Sequence, residues 1–253
     1  MSVLPYRAVI MDLDRTLLRT DKSLSEYTMK VLRRWQDSGA CLYAATARPE
    51  RAITEYRSMI GLRSVTTLNG ARTIMPAAVT ENPIGRKSAL CILKQLCSTG
   101  GMVISAETES GIFANQDIPQ WQPAVIGDID TLPMREKVYK ILASHPDEPA
   151  DRIAVRLPDD VYCTVADRKL LQFMSRSATK WNGIRQMLDH DGISAEEAIF
   201  FGDDNDDIEP IIRCGRGVAV GNALASVKEA ADDIAPGNDE DGVARYLDRL
   251  TTF

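Results

Sequence analysis

Two carboxylates two positions apart, Asp12 and Asp14, follow the apolar run Ala8-Val9-Ile10-Met11. In an extended chain, residues two apart project to the same side, so a strand ending here presents both acids beyond its C-terminal end. In open α/β sheets that edge is where ligands bind. Taken alone, an Asp-x-Asp pair is better read as a helix cap or a turn. Three other stretches give it company. In "ATARP", residues 45–49, Thr46 and the amide of Ala47 stand at the end of a second apolar run, just before a helix opened by Pro49. A hydroxyl, free N–H groups and a helix N-terminus suit phosphate oxygens, and Thr46 as a plain helix cap is the competing reading. In "FFGDDNDD", residues 200–207, four aspartates fall within five positions directly after an apolar run. Such a density of like charge calls for a cation, and hard oxygen ligands suit Mg²⁺. Finally, Lys180 in "SATKWNGIRQML" opens a helix; it matters to chemistry if it points at the same place and is otherwise a solvated surface charge.

The rest of the composition narrows the field. A formal net charge of −6 speaks against a nucleic-acid binder, which needs a basic face. With 44% hydrophobic and 26% charged residues in 253, the chain is of ordinary globular type. No apolar stretch reaches the roughly 20 residues that span a bilayer, and the N-terminal residues Met1 to Pro5 lack a signal pattern, so a cytoplasmic protein is expected. Five scattered cysteines without Cys-x-x-Cys spacing suggest neither a disulfide framework nor a zinc site. With two histidines, His145 and His190, a histidine triad is hard to build.

The elements that must position these residues alternate. Strand-like 7–12, helical 25–37 capped by Ser25, strand-like 41–46, a helix after Pro49 and strand-like 65–68 read as a parallel sheet covered by helices. The last third repeats the style, with a helix at 181–190, strands at 198–201 and 217–220, and helices from 208, 223 and 241. The middle reads differently. After a helix at 86–97 come short runs at 102–106, 111–114, 138–143, 161–166 and 170–174, the last two around Asp167-Arg168, which suggest an antiparallel α+β unit. The expected organisation is therefore an α/β core of residues 1–82 and 178–253 with an inserted α+β domain at 83–177. Trp35 falls on an apolar helical face and reads as core, whereas Trp121 and Trp181 serve packing or ligand contact equally well.

Taken in order, Asp-x-Asp-x-Thr at 12–16, Thr46 at a strand end, Lys180, and Gly-Asp-x-x-x-Asp at 202–207 resemble the haloacid dehalogenase superfamily of phosphatases. The inserted domain, "TLNGA" at 67–71 and the tail "GVAVGNALASVKEAADDIAPGNDEDGVARYL" at 217–247 resemble its Cof-type branch, hydrolases with a large type-2 cap. The resemblance implies a Rossmann-like parallel-sheet core and a Mg²⁺-dependent phosphatase for a small phosphorylated metabolite, a sugar phosphate or a cofactor or nucleotide phosphate, with the cap supplying specificity. It implies Asp12 as nucleophile, forming an aspartyl-phosphate, and Asp14 as general acid and then base. Mg²⁺ is then held by Asp12, the Asp14 carbonyl and Asp203, with Asp207 in support. Thr46, the Ala47 amide and Lys180 hold the phosphoryl oxygens, and Asn222 orients the acidic loop or the phosphate.

Three positions depart from the family pattern: Arg15 and Ala47 stand in place of glycine, and Asp206 in place of asparagine. Arg15 either points harmlessly into solvent, as ordinary φ/ψ would allow, or reaches toward the cap or substrate. No membrane and no nucleic-acid partner is expected, and the protein is expected to be a monomer or homodimer. The alternatives are a phosphotransferase or mutase with the same aspartyl-phosphate, or a catalytically silent ligand-binding member. A receiver-type signalling module also combines aspartates, Thr and Lys around Mg²⁺, but its motif order differs.

Overall fold

The computed structural model describes residues 5–166 and 168–251. Met1 to Leu4, Asp167, Thr252 and Phe253 lie outside the described residues. The chain forms two compact units, one from the segments up to Thr80 and from Thr179 onward, the other from Glu81–Ala178.

In the first unit, all four side chains of β1 (Ala8–Met11) are fully buried, as expected of a parallel strand covered on both faces. Helix α1 (Glu26–Asp37) starts where the Ser25 hydroxyl accepts the Thr28 N–H at 3.0 Å, and it buries Val31, Leu32 and Trp35 against the sheet. Strand β2 (Cys41–Ala45) pairs parallel with β1. The helix expected directly after Pro49 forms later: a short 3₁₀ turn at Glu50–Ala52 precedes α2 (Thr54–Ile60). Strand β3 (Ser64–Thr67) follows, parallel to β2.

Two strands then extend the sheet beyond what the sequence pattern suggested. β4 (Arg72–Met75) runs antiparallel to β3, and β5 (Ala78–Glu81) follows through a turn at Pro76-Ala77. Runs of four residues interrupted by a proline carry too little period-two signal to stand out.

The second unit has its own core. Helix α3 (Arg86–Ser98) packs Ile92, Leu93 and Leu96 against Ile104, Ile141 and Phe173 of one sheet face. That sheet comprises β6 (Val103–Thr108), β7 (Ile112–Ala114), β8 (Ala124–Val125), β9 (Val138–Ser144), β10 (Val161–Ala166) and β11 (Leu170–Ser175). Its order is β10-β11-β9-β6-β7-β8, antiparallel except for the β7–β8 pair.

Back in the first unit, α4 (Lys180–Asp191) is capped by the Thr179 hydroxyl, which accepts the Asn182 N–H at 3.1 Å. Strand β12 (Ala198–Gly202) pairs parallel with β1. Helix α5 (Ile208–Arg213), β13 (Arg216–Val220), α6 (Ala225–Ala230), β14 (Asp233–Ala235) and α7 (Gly242–Leu250) complete the chain; β14, three residues long, was not expected.

The larger sheet has the order β14-β13-β12-β1-β2-β3-β4-β5. Strand β1 therefore lies between two parallel neighbours, β2 and β12, which the chain reaches in opposite directions. That reversal opens a crevice at the C-terminal end of β1. Asp12, Thr46 and Asp203 each stand one residue past the end of a strand at that edge.

Candidate active site

The ladder carries Asp12 into place: its N–H donates to the Phe201 carbonyl at 3.0 Å, so the residue after β1 is still tied to β12. The residue is 5% exposed. Lys180, the first residue of α4 and itself 5% exposed, sets its ammonium 3.1 Å from Asp12 Oδ1 and 2.6 Å from Asp207 Oδ1. Burial alone would lower the Lys180 pKa, but the carboxylates of Asp12 and Asp207 outweigh it and hold the ammonium above the ordinary lysine range. For Asp12, burial is the dominant effect and raises the pKa; Lys180 opposes it, while the charges of Asp207 and Asp203 reinforce it.

The acidic loop is a fold in its own right. Asp207 turns back so that its Oδ2 accepts the amides of Asp203 at 2.9 Å and Asp204 at 3.1 Å. This return needs a bare backbone at Gly202, where an added Cβ would lie 2.4 Å from the Asp207 Cβ. Thr16 Oγ1 donates to Asp203 Oδ1 at 2.7 Å, tying the loop to the segment after β1. Burial raises the Asp203 pKa, the Thr16 hydrogen bond partly offsets this, and Asp207 adds repulsion.

Asp14 faces a different environment. Arg48 grips it with two bonds, Nε to Oδ2 at 2.6 Å and Nη2 to Oδ1 at 2.7 Å, while Lys22 Nζ adds a third at 2.7 Å. Partial burial would raise its pKa, yet the hydrogen bonds from Arg48 and Lys22 prevail and hold it at about 2. Asp14 is therefore a firm carboxylate in this arrangement, whereas a general acid needs a proton. The guanidinium of Arg48 also lies over the Tyr56 ring, 5.3 Å from its centre.

Thr46 is buried and caps no helix: its Oγ1 accepts the Arg48 amide at 3.2 Å, and neither the 3₁₀ turn nor α2 has a side-chain cap. Ala47 is exposed at the strand end. The neighbouring loop after β3 is pinned by Asn69, whose amide donates to the Thr46 carbonyl at 3.0 Å and whose Nδ2 donates to Asp206 Oδ2 at 2.5 Å. Gly70 beside it is required, since a Cβ there would strike the Thr179 carbonyl at 2.0 Å.

Asn222 spends its amide on backbone. Its Nδ2 donates to the Arg15 carbonyl at 2.7 Å and its Oδ1 accepts the Asn238 N–H at 2.9 Å. Arg15 does not have ordinary dihedrals: its φ is +60°, and its largely exposed side chain sets Nε 3.9 Å from Asp203 Oδ2, beside the acidic loop. Trp181 packs on the core beneath the Arg213 guanidinium, and Trp35 is fully buried. Trp121 is 40% exposed in the second unit.

Asp12, Asp203 and Asp207 bring one carboxylate oxygen each within 4.8 Å of one another. Three buried carboxylates against the single ammonium of Lys180 leave a negative excess that fits a divalent cation, and an all-oxygen donor set suits a hard one. Asp207 already bonds Lys180 and two amides, so Asp12 and Asp203 hold the oxygens better placed to take a metal.

Sequence reasoning gave no role to Arg48, Lys22, Thr16 or Asn238. Arg48, Thr16 and Asn238 sat inside the quoted stretches; Lys22 carried no local signal.

A family model described as haloacid dehalogenase-like hydrolase matches residues 9–247. Curated relatives align over nearly the whole chain. The 5-amino-6-(5-phospho-D-ribitylamino)uracil phosphatase YitU of Bacillus subtilis is 28% identical over 98% of both chains. An HMP-PP phosphatase of Yersinia pseudotuberculosis is 24% identical over 96% of this chain and 94% of its own. Among solved structures, a haloacid dehalogenase-like hydrolase from Bacteroides thetaiotaomicron has a TM-score of 0.80 at 23% identity, covering 97% of this chain and 99% of the other. A Thermotoga maritima protein has a TM-score of 0.85 at 21% identity, covering 98% of both.

Proposed function

We propose that this chain, which belongs to the haloacid dehalogenase-like hydrolase family and is a phosphoric monoester hydrolase of phosphorylated metabolites, works through an aspartyl-phosphate formed on Asp12 with Mg²⁺ as its cofactor. The observation that supports the reading most is the buried group of Asp12, Lys180, Asp203 and Asp207 at the C-terminal edge of β1 and β12. Asp12, the Asp14 carbonyl and Asp203 would hold the cation, with Asp207 fixing the loop and Lys180. Bound there, Mg²⁺ would shield the carboxylate from the charge of an approaching phosphate.

The remaining steps belong to side chains. An Asp12 oxygen attacks phosphorus as the bond to the leaving oxygen breaks, and Lys180, Thr46 and the Ala47 amide hold the phosphoryl oxygens while charge spreads over them. Asp14 passes a proton to the leaving oxygen and later takes one from the water that attacks phosphorus. To carry that proton it must first be released by Arg48 and Lys22, and an incoming phosphate offers both cations a competing anion. Asn222 acts through the Arg15 carbonyl, as a positioning residue for the loop after β1. Small phosphorylated organic molecules are the substrate class we favour, in line with the names of the full-length relatives. No helix among the described residues is long and apolar enough to cross a membrane, and five free thiols suit the reducing cytoplasm where we place it.

A phosphate-release screen over phosphorylated metabolites, with and without Mg²⁺, tests the reading. Metal-dependent release by the wild-type chain and its loss in Asp12→Asn are expected; undiminished release by that variant would remove Asp12 from the role.

A further inference from the structure

Arg15 holds its backbone at φ +60°, in the left-handed region that favours glycine. A relay from the tail maintains it. The Arg15 carbonyl accepts Asn222 Nδ2 at 2.7 Å, Asn222 Oδ1 accepts the Asn238 amide at 2.9 Å, and Asn238 Nδ2 donates to the Leu18 carbonyl at 3.0 Å. Eight non-glycine residues stand at positive φ among the described residues, and Arg15, Lys22, Leu68 and Asn69 all belong to segments bonded to the aspartate site. The other four, Ala77, Gln122, Arg168 and Asp241, stand elsewhere; four unfavourable residues around one site ask for a functional reason.

The side chain this backbone carries is placed for binding. Its Nε is 3.9 Å from Asp203 Oδ2, beyond hydrogen-bond reach, and 61% of the side chain is exposed. The neighbouring cations are closely engaged: Lys180 with Asp12 and Asp207, Arg48 and Lys22 with Asp14, all at 3.1 Å or less. Among the described residues, Arg15 makes no other ion pair than the long one to Asp203. A planar fork of N–H donors thus faces water beside the acidic loop, matched in shape to a phosphate. A second phosphate on a substrate would otherwise meet the exposed carboxylates of Asp204 and Asp206, with Arg15 as the cation on the solvent side.

We infer that Arg15 is a specificity-determining residue that binds a second phosphate of the substrate, so that the site prefers diphosphate-like ligands over monophosphates. The inference rests on the phosphatase reading for the place of the first phosphoryl group, and its test is one of binding, separate from turnover. Calorimetric titration of the full chain with saturating Mg²⁺ compares methylenediphosphonate with methylphosphonate, neither of which is hydrolysed. Arg15→Gln is expected to weaken the diphosphonate about tenfold and the monophosphonate by less than about twofold, the loss of a charge-assisted bond at a part-exposed site. Arg15→Lys recovers most of the difference. Arg15→Gly, which relieves the backbone, matches Arg15→Gln, separating charge from strain. Equal weakening of both probes, no weakening, or a preference retained in Arg15→Gly overturns the inference. Failure of every phosphate ester to release phosphate would instead overturn the phosphatase reading and leave this comparison standing.

Discussion

Asp12 and Asp14 are separated by one residue and live in opposite electrostatic worlds. Asp12 sits in the buried half of the site, where burial and two further aspartates push its pKa up against the pull of Lys180. Asp14 sits in the half open to water, where Arg48 and Lys22 hold it at about 2. Two titratable groups driven apart in this way are suited to different tasks. In the proposed mechanism the buried one attacks phosphorus once a cation joins it, and the open one takes up its proton once its arginine and lysine turn to phosphate.

The contrast can be broken from the buried side first. Asp12→Asn should lower phosphate release by about 10³-fold or more, as for a lost nucleophile, measured in a steady-state phosphate assay. Lys180→Met leaves Asp12 and Asp207 buried without their cation, a loss of about 3–5 kcal/mol. Scanning calorimetry in chelator should then show a melting temperature lower by roughly 10 °C, and an unchanged one would mean that the ammonium does not hold this cluster together. Thr16→Val removes the hydroxyl that orients Asp203 and should weaken Mg²⁺ binding about tenfold, read by titration calorimetry.

Much of the buried half could be read from residue order alone. Asp12, Thr46 and Asp203 each mark an abrupt switch from an apolar run to a polar residue, and strand ends are visible in that way. Lys180 gains meaning from the capped helix it opens. The open half was less legible because it depends on contacts distant in sequence: Arg48 reaches back to Asp14, and Asn222 and Asn238 tie the tail to the loop after β1. Position 15 shows the limit most plainly. Its side chain type was evident, but its direction follows from a positive φ imposed by hydrogen bonds from residues some 200 positions later. In the fold, long elements with clear caps were legible, whereas β4, β5 and β14 were too short to register.

The open side gives the smallest effect. Asp14 has a folded pKa of about 2 against an ordinary value of 3.8. Its ion pairs therefore add stability above about pH 4, and the increment is lost as the pH falls toward 2. The shift would correspond to more, but the side chain is 36% exposed, and screening reduces it to about 1 kcal/mol or less. In Arg48→Gln, urea midpoints measured from pH 5 downward should fall less steeply than in the wild type, and parallel curves would show that Arg48 does not set the Asp14 pKa.

The division between the two carboxylates is tested most directly by locating the phosphoryl group on the chain. Acid quench during turnover, reduction with borohydride and peptide mass analysis convert a phosphorylated aspartate into homoserine. The account predicts homoserine at position 12 alone, with none in Asp12→Asn. Homoserine at position 14, or phosphate release with neither aspartate reduced, would contradict it.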